Sequence, residues 1–213
     1  AVQGLTTSVF RTWDAYPYVA WGAVNTADGV YDWSGMDSLM TYLQPKGCDI
    51  IYTLGWTPDW VTAGNFATKM ATFITAFIAR YPTVNYIELW NEPDTTNGHP
   101  SIFADLATWR TALVAAAAAV YTAIKAANSS IKVISPSCQD VNGADWLDTN
   151  FLSIGGDAYC DIIGFHGYLY NEAPEAIETL ISSLNAVVAK YPSLIGKPLY
   201  NTEYSWGPRG STE

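Results

Sequence analysis

Tyr86-Ile87-Glu88-Leu89-Trp90-Asn91-Glu92-Pro93 is the most informative stretch of this 213-residue chain. Its residues are mostly apolar, with the aromatic and β-branched types that favour a strand. The run ends in an Asn-Glu pair and is stopped by Pro93, which has no N–H to give a sheet ladder. Asn91 and Glu92 are therefore expected at the C-terminal end of a strand, on a rigid turn. A second stretch, Tyr200-Asn201-Thr202-Glu203-Tyr204-Ser205-Trp206, repeats the plan of strand, glutamate and aromatics.

Outward from these two segments, short β-rich runs alternate with helical ones. Strands are predicted at Val9-Phe10-Arg11-Thr12-Trp13, Asp49-Ile50-Ile51-Tyr52-Thr53-Leu54, 84–90, Lys132-Val133-Ile134-Ser135, Asp161-Ile162-Ile163-Gly164-Phe165 and 198–203. Helices are predicted over 33–43, 66–81, within 102–127, over 144–152 and over 174–191. In the first, Met36, Leu39, Met40 and Leu43 recur at helical spacing. Asp32 or Ser34 can cap it, and Gly47 can stop it. Such alternation, with no strand-only or helix-only block, predicts an α/β fold with a parallel sheet.

Polar and aromatic residues recur where the strands end: Trp13-Asp14, Trp56, Asn91-Glu92, 135–139, 166–170 and 203–206. No GxGxxG or GxxxxGK[ST] follows the first strand, so a nucleotide-binding doubly wound sheet has no support. Sites assembled on the C-terminal rim of several strands belong to (β/α)8 TIM barrels. Six strands are legible where a full barrel has eight. The expectation is a single barrel domain over 1–213, without counterparts of the first and last barrel strands.

Composition narrows the partners. Hydrophobic residues make up 49% and charged residues 14%, a globular balance. Asp and Glu number 20 against 10 Lys and Arg, with a pI near 4.4. That balance speaks against nucleic acid, which is held by Lys and Arg on phosphates, and against an anionic membrane. No uninterrupted apolar run reaches the ~18–20 residues of a membrane span. A neutral carbohydrate carries no such penalty. Cys48, Cys138 and Cys160 are odd in number and form no CxxC, and with only His99 and His166 no zinc-type cluster is legible. They are expected as small buried apolar residues. The further expectations are no metal or organic cofactor, a monomer, and a secreted or periplasmic location.

Two carboxylates on different strands can face each other across a barrel mouth. Cleavage of a glycosidic bond uses such a pair: one group protonates the leaving oxygen, and in a retaining reaction the other attacks the anomeric carbon. Among 20 acidic residues most are solvated charges, but strand ends flanked by Trp and Tyr are not generic surface. A barrel lyase, aldolase or metal hydrolase would need a strand-end lysine or a metal cluster, and neither is legible.

Leu89-Trp90-Asn91-Glu92-Pro93 together with Thr202-Glu203 resembles clan A glycoside hydrolases. Phe10-Arg11-Thr12-Trp13, then Gly29-Val30-Tyr31-Asp32-Trp33 with Asp37, then Leu54-Gly55-Trp56-Thr57-Pro58-Asp59-Trp60 are similar to family 39 in particular. That family includes β-xylosidases, α-L-iduronidases and bacterial endoglycosidases. The resemblance implies a retaining hydrolase of O-glycosidic bonds, β-linked by expectation, acting on a poly- or oligosaccharide. An inactive carbohydrate-binding barrel is the alternative, which loss of either glutamate would favour. The six strands become barrel strands 2 to 7. Glu92 becomes the acid/base, Glu203 the nucleophile, and Asn91 the partner of the sugar 2-hydroxyl. Arg11 matches an arginine that contacts the nucleophile, and an ion pair with Glu88 is its structural alternative. His166 and Tyr168, just beyond a strand, line the site. Trp13, Trp56, Trp60, Trp206 and Tyr204 are candidates to contact sugar, whereas Trp109 and Trp146 are expected in the core.

Overall fold

The computed structural model describes residues 9–15, 17–139, 143–170 and 172–207. Six strands are formed: β1 (Val9–Arg11), β2 (Asp49–Thr53), β3 (Tyr86–Glu88), β4 (Lys132–Ile134), β5 (Ile163–Tyr170) and β6 (Leu199–Gly207). Between and around them run α1 (Trp21–Val24), α2 (Ser34–Leu43), α3 (Phe66–Arg80), α4 (Leu106–Ala127), α5 (Gly143–Asn150) and α6 (Ile177–Val188). β1 to β4 pair in sequence order and all in parallel. β5 and β6 also pair in parallel, and a bridge between Ile134 and Ile162 joins the two sets. A doubly wound sheet reverses its strand order at a switch point. This order never reverses, so the strands form the wall of a TIM barrel.

The helices lie where the hydrophobic spacing predicts. α3 buries Phe66, Met70, Phe73, Ile74, Phe77 and Ile78, one face of a helix, against α4. α4 starts on a capping box between Asp105 and Thr108. It is long and apolar enough to cross a membrane, although its apolar residues are not consecutive. Its Trp109, Leu113, Ala116, Ala117, Val120 and Ile124 are buried in the core, as an outer-ring helix requires. Asp32 accepts a bond from the Ser34 N–H (3.0 Å) at the start of α2. Gly47, at φ 68°, ends the short turn that follows α2. Trp21, Trp33, Tyr52, Phe73 and Phe77 pack into one aromatic cluster, Phe73 stacking on Trp21 and Trp33 and tilted against Tyr52 and Phe77.

The barrel interior is layered. Ile51, Ile134 and Ile162, with Tyr86 and Tyr200 against them, form a small apolar cluster of their own. Above them the side chains become polar, and the glutamates stand at the rim. Several boundaries differ from expectation, among them the first strand, which ends at Arg11 where Thr12–Ala15 turns into a 3-10 helix. The 84–90 run keeps strand pairing only at Tyr86–Glu88, then pairs again through Asn91 and Ser137. β5 and β6 run further than expected, to Tyr170 and Gly207. His166 and Tyr168 therefore lie inside a strand rather than beyond it, because parallel pairing continues from His166–Glu203 to Tyr170–Gly207. The extension follows a bulge between Phe165 and His166, across which Thr202 is the extra residue. A bulge lets neighbouring residues share one face, and both Thr202 and Glu203 reach into the barrel.

Candidate active site

Glu88 is the foundation of the site. It lies on β3, is fully buried, and accepts four hydrogen bonds, two on each carboxylate oxygen. Arg11 Nε and Thr53 Oγ1 donate to Oε2, both at 2.7 Å. Ser137 and Thr202 donate to Oε1 at 2.5 and 2.9 Å. Residues on or next to four other strands thus converge on one carboxylate. Burial alone would raise its pKa. Arg11, then His166, and the bonds from Arg11 and Ser137 outweigh that and hold it below the usual carboxylate range.

Arg11 carries this anchor up to the rim. With Nε fixed on Glu88, Nη2 donates to Asn91 Oδ1 (2.7 Å) and Nη1 to Glu203 Oε1. Burial works against the guanidinium charge, but Glu88 and Glu203 more than offset it and raise its pKa. Both readings of Arg11, barrel ion pair and contact to Glu203, are therefore satisfied by one side chain. The other oxygen of Glu203 accepts from Tyr168 (2.5 Å), and His166 Nδ1 lies 3.5 Å from it. The same Nδ1 lies 2.9 Å from Glu92 Oε1. His166 is fully buried between the two glutamates, while their side chains are 17–18% exposed. Its Nε2 finds no partner among the described residues.

Glu92 is placed by its backbone. Its φ is 44°, and Trp56 (φ 57°) is the other non-glycine residue with a left-handed backbone among those described. Such a conformation costs on the order of 1–3 kcal/mol and persists only when its surroundings hold it. Here the Glu92 N–H donates to Ser137 (2.8 Å), and its carbonyl accepts from the N–H and hydroxyl of Thr95. Gly98 packs on the same carbonyl so closely that a Cβ would lie 1.7 Å from the oxygen. Trp90 ties Gly98 in place through its indole N–H (2.8 Å).

Glu92, His166 and Glu203 each offer an oxygen or nitrogen within 4.8 Å of the other two. The set has the composition of a metal site. Arg11 on Glu203 and the direct His166–Glu92 contact already fill the positions a cation would take.

A cavity of about 430 Å³ opens beside Glu92, lined by Trp13, Trp56, Trp90, Asn91 and residues 95–102. Trp13 and Trp56 stack, 6.1 Å apart and 14° from parallel. Trp60 does not reach this cavity. Its indole N–H is bonded to Asn25 O (2.8 Å), and its ring lines a neighbouring hollow. Tyr204 is 55% exposed, because strand alternation sends it away from Glu203. The Trp206 and Asp14 side chains lie outside the described residues. Asp94 is a loop tie, accepting from the Gln139 N–H (3.1 Å). Trp109 is buried and Trp146 packs against the core. Cys138 and Cys160 are buried and Cys48 partly so, and burial pushes the Cys160 thiol up to about 12. Sequence reasoning passed over Thr53, Ser137 and Thr202, whose hydroxyls are common in strands. It also passed over residues 95–102, where Gly98 was the available signal.

A sequence profile described as glycosyl hydrolase catalytic core matches residues 25–213. The chain belongs to this family. Glu92 and Glu203 are thus set in a glycosyl hydrolase catalytic core. Solved structures of related shape agree with the fold. A glucosidase from Croceicoccus marinus superposes with a TM-score of 0.68 at 14% identity, covering 97% of this chain and 47% of that one. The family 1 β-glucosidase of Exiguobacterium antarcticum gives 0.64 at 16%, covering 94% and 64%. The family 53 catalytic domain of Ignisphaera aggregans gives 0.57 at 16%, covering 85% and 52%. The chain spans about half the length of the first and last of these. No curated protein matches the sequence.

Proposed function

We propose that this glycosyl hydrolase core cleaves O-glycosidic bonds with retention of configuration, using Glu203 as nucleophile and Glu92 as acid/base. One observation carries the reading: an oxygen of Glu92 and an oxygen of Glu203 lie within 4.8 Å. Retaining enzymes hold their carboxyl groups ~5–5.5 Å apart, whereas inverting enzymes need ~6.5–9.5 Å to admit a water.

Glu203 Oε2 or Oε1 attacks the anomeric carbon while Glu92 gives its proton to the departing oxygen. The C–O bond to the leaving group breaks as the glycosyl–Glu203 ester forms. Glu92 then takes a proton from water, whose oxygen attacks the same carbon and releases Glu203. Arg11 and Tyr168 orient the nucleophile's two oxygens, and His166 fixes the separation between the glutamates. With Asn91 Oδ1 taken by Arg11, its NH2 is the end left to meet a sugar hydroxyl.

The finer assignments are ours as well. The segment from Leu54 to Trp60 favours family 39, and β-linked substrates fit the β-glucosidase and β-1,4-galactanases of similar shape. The six strands are taken as barrel strands 2 to 7 of one catalytic domain. The acidic, lysine-poor composition suits a protein working outside the cytoplasm on a neutral glycan.

The test is kinetic. Glu203→Ala should lose activity on aryl glycosides by about 10⁴-fold or more. Adding azide to Glu203→Ala should give the glycosyl azide of inverted configuration, and to Glu92→Ala the retained one. Inverted product from the wild type, read by NMR at the anomeric proton, would overturn the mechanism.

A further inference from the structure

The concave surface does not end at the cavity beside Glu92. A second hollow of about 480 Å³ lies on the far side of residues 56–59, reaching to Pro17, Thr26 and Trp60. Trp56, Thr57, Pro58 and Asp59 line both cavities. Each volume falls within the ~300–1,000 Å³ of small-molecule sites.

The shared wall is built rather than incidental. Trp56 is 44% exposed although it is a large aromatic residue. Its left-handed backbone (φ 57°) is held by the Gly22 N–H on its carbonyl (2.8 Å). A Cβ at position 22 would come within 2.7 Å of that carbonyl, so only glycine fits. The ring rests on Trp13, which itself lines the cavity beside Glu92. Beyond it, the Trp60 ring is fixed by its bond to Asn25. Backbone strain at a site wall points to function rather than to packing. Rigid aromatic faces beside the exposed Thr26 and Asp59 side chains match a sugar, which has apolar faces and a hydroxyl edge.

We infer that the second hollow is a binding subsite for the same glycan chain, remote from the bond being cut, and that the substrate is an oligo- or polysaccharide crossing Trp56. This rests on the glycosidase reading of Glu92 and Glu203. A chain running over Trp56 contacts both cavities at once, and its distant units contribute binding that a monosaccharide glycoside cannot.

The experiment uses β-1,4-linked xylo-, galacto- and gluco-oligosaccharides, from di- to hexasaccharide, with p-nitrophenyl monoglycosides as the internal reference. Thr26→Phe fills the hollow from an exposed loop position, and Trp60→Ala removes its ring. In the wild type, kcat/KM on the preferred series should climb at least about tenfold with chain length. In Thr26→Phe, the hexasaccharide-to-monoglycoside ratio of kcat/KM should fall by that factor. A flat wild-type series, or a climb that survives Thr26→Phe, overturns the subsite. If the wild type cleaves none of the probes, the catalytic reading has failed separately. Calorimetric titration then decides: affinity that grows with length and is lost in Thr26→Phe upholds the subsite, and no binding overturns it.

Discussion

Glu88 and Glu92 stand four residues apart on one run of chain, and their surroundings make them different devices. Glu88 is sealed in the barrel, with four donors on two oxygens and a guanidinium beside it. Glu92 stands on a strained backbone at a cavity wall, with His166 on one oxygen. A saturated carboxylate has no lone pair left for chemistry, whereas an unsaturated one at a rim can exchange protons with a substrate. The barrel separates the two roles by depth: one carboxylate fixes the arginine, and the other works above it.

Breaking the comparison at its upper end should produce the largest effect. Glu92→Ala removes proton transfer, so kcat should fall by about 10²–10⁴ on substrates with poor leaving groups. Its cost in stability should be the smaller one, about 1–3 kcal/mol, because buried His166 loses one hydrogen-bond partner. Glu88→Ala should do the reverse in emphasis. It strands a buried Arg11 and leaves three hydroxyls without their acceptor. Removing one partner of a buried pair costs about 3–5 kcal/mol. For a chain of this size each kcal/mol moves Tm by roughly 2–4 °C, a shift that thermal unfolding resolves. If Glu92→Ala melts earlier than Glu88→Ala, or Glu88→Ala unfolds like wild type, the division by depth is wrong.

A smaller effect sharpens the comparison at Glu203. Tyr168 donates to Glu203 at 2.5 Å while Arg11 holds the other oxygen. Hydrogen bonds to charged groups are worth ~1.5–3 kcal/mol. Tyr168→Phe should therefore lower kcat by roughly 10- to 100-fold, a smaller loss than for either glutamate. Because the hydroxyl orients the proposed nucleophile, KM should move less than kcat. A change confined to KM would recast Tyr168 as a substrate contact.

The sequence showed the rim better than the layer beneath it. Asn91-Glu92-Pro93 announces a strand end through a polar pair and a proline stop after an apolar run, whereas Thr202-Glu203, expected at a strand end as well, lies inside β6. The Arg11–Glu88 pair was legible as an alternative, because two buried opposite charges must meet. Thr53, Ser137 and Thr202 were not, since a strand hydroxyl becomes a ligand only when neighbouring strands bring an acceptor to it. The bulge that turns Thr202 and Glu203 the same way leaves no sequence mark, and neither does the continued pairing that puts His166 and Tyr168 inside β5. The hollow that Trp60 lines was not legible for a related reason. Trp60 lies only four residues after Trp56 in a non-repetitive loop, where no period says which way a ring faces.

The smallest effect separates charge from shape at Glu88. Glu88→Gln keeps the volume and most hydrogen bonds but removes the charge that faces Arg11, so at pH 7 the variant should be less stable than wild type. The folded Glu88 carboxyl is held below its ordinary value by Arg11, against the opposing pull of burial. A depressed folded-state pKa adds stability that is complete above the unfolded value of ~4.3 and is lost as pH falls below it. Wild type therefore loses this contribution on acidification, while Glu88→Gln has none to lose. The urea-unfolding difference between the two should be constant from pH 7 to about 5 and shrink below ~4. A gap that persists unchanged at low pH would mean that Glu88 acts through its shape and hydrogen bonds, and that the guanidinium is fixed at the rim by Asn91 and Glu203 instead.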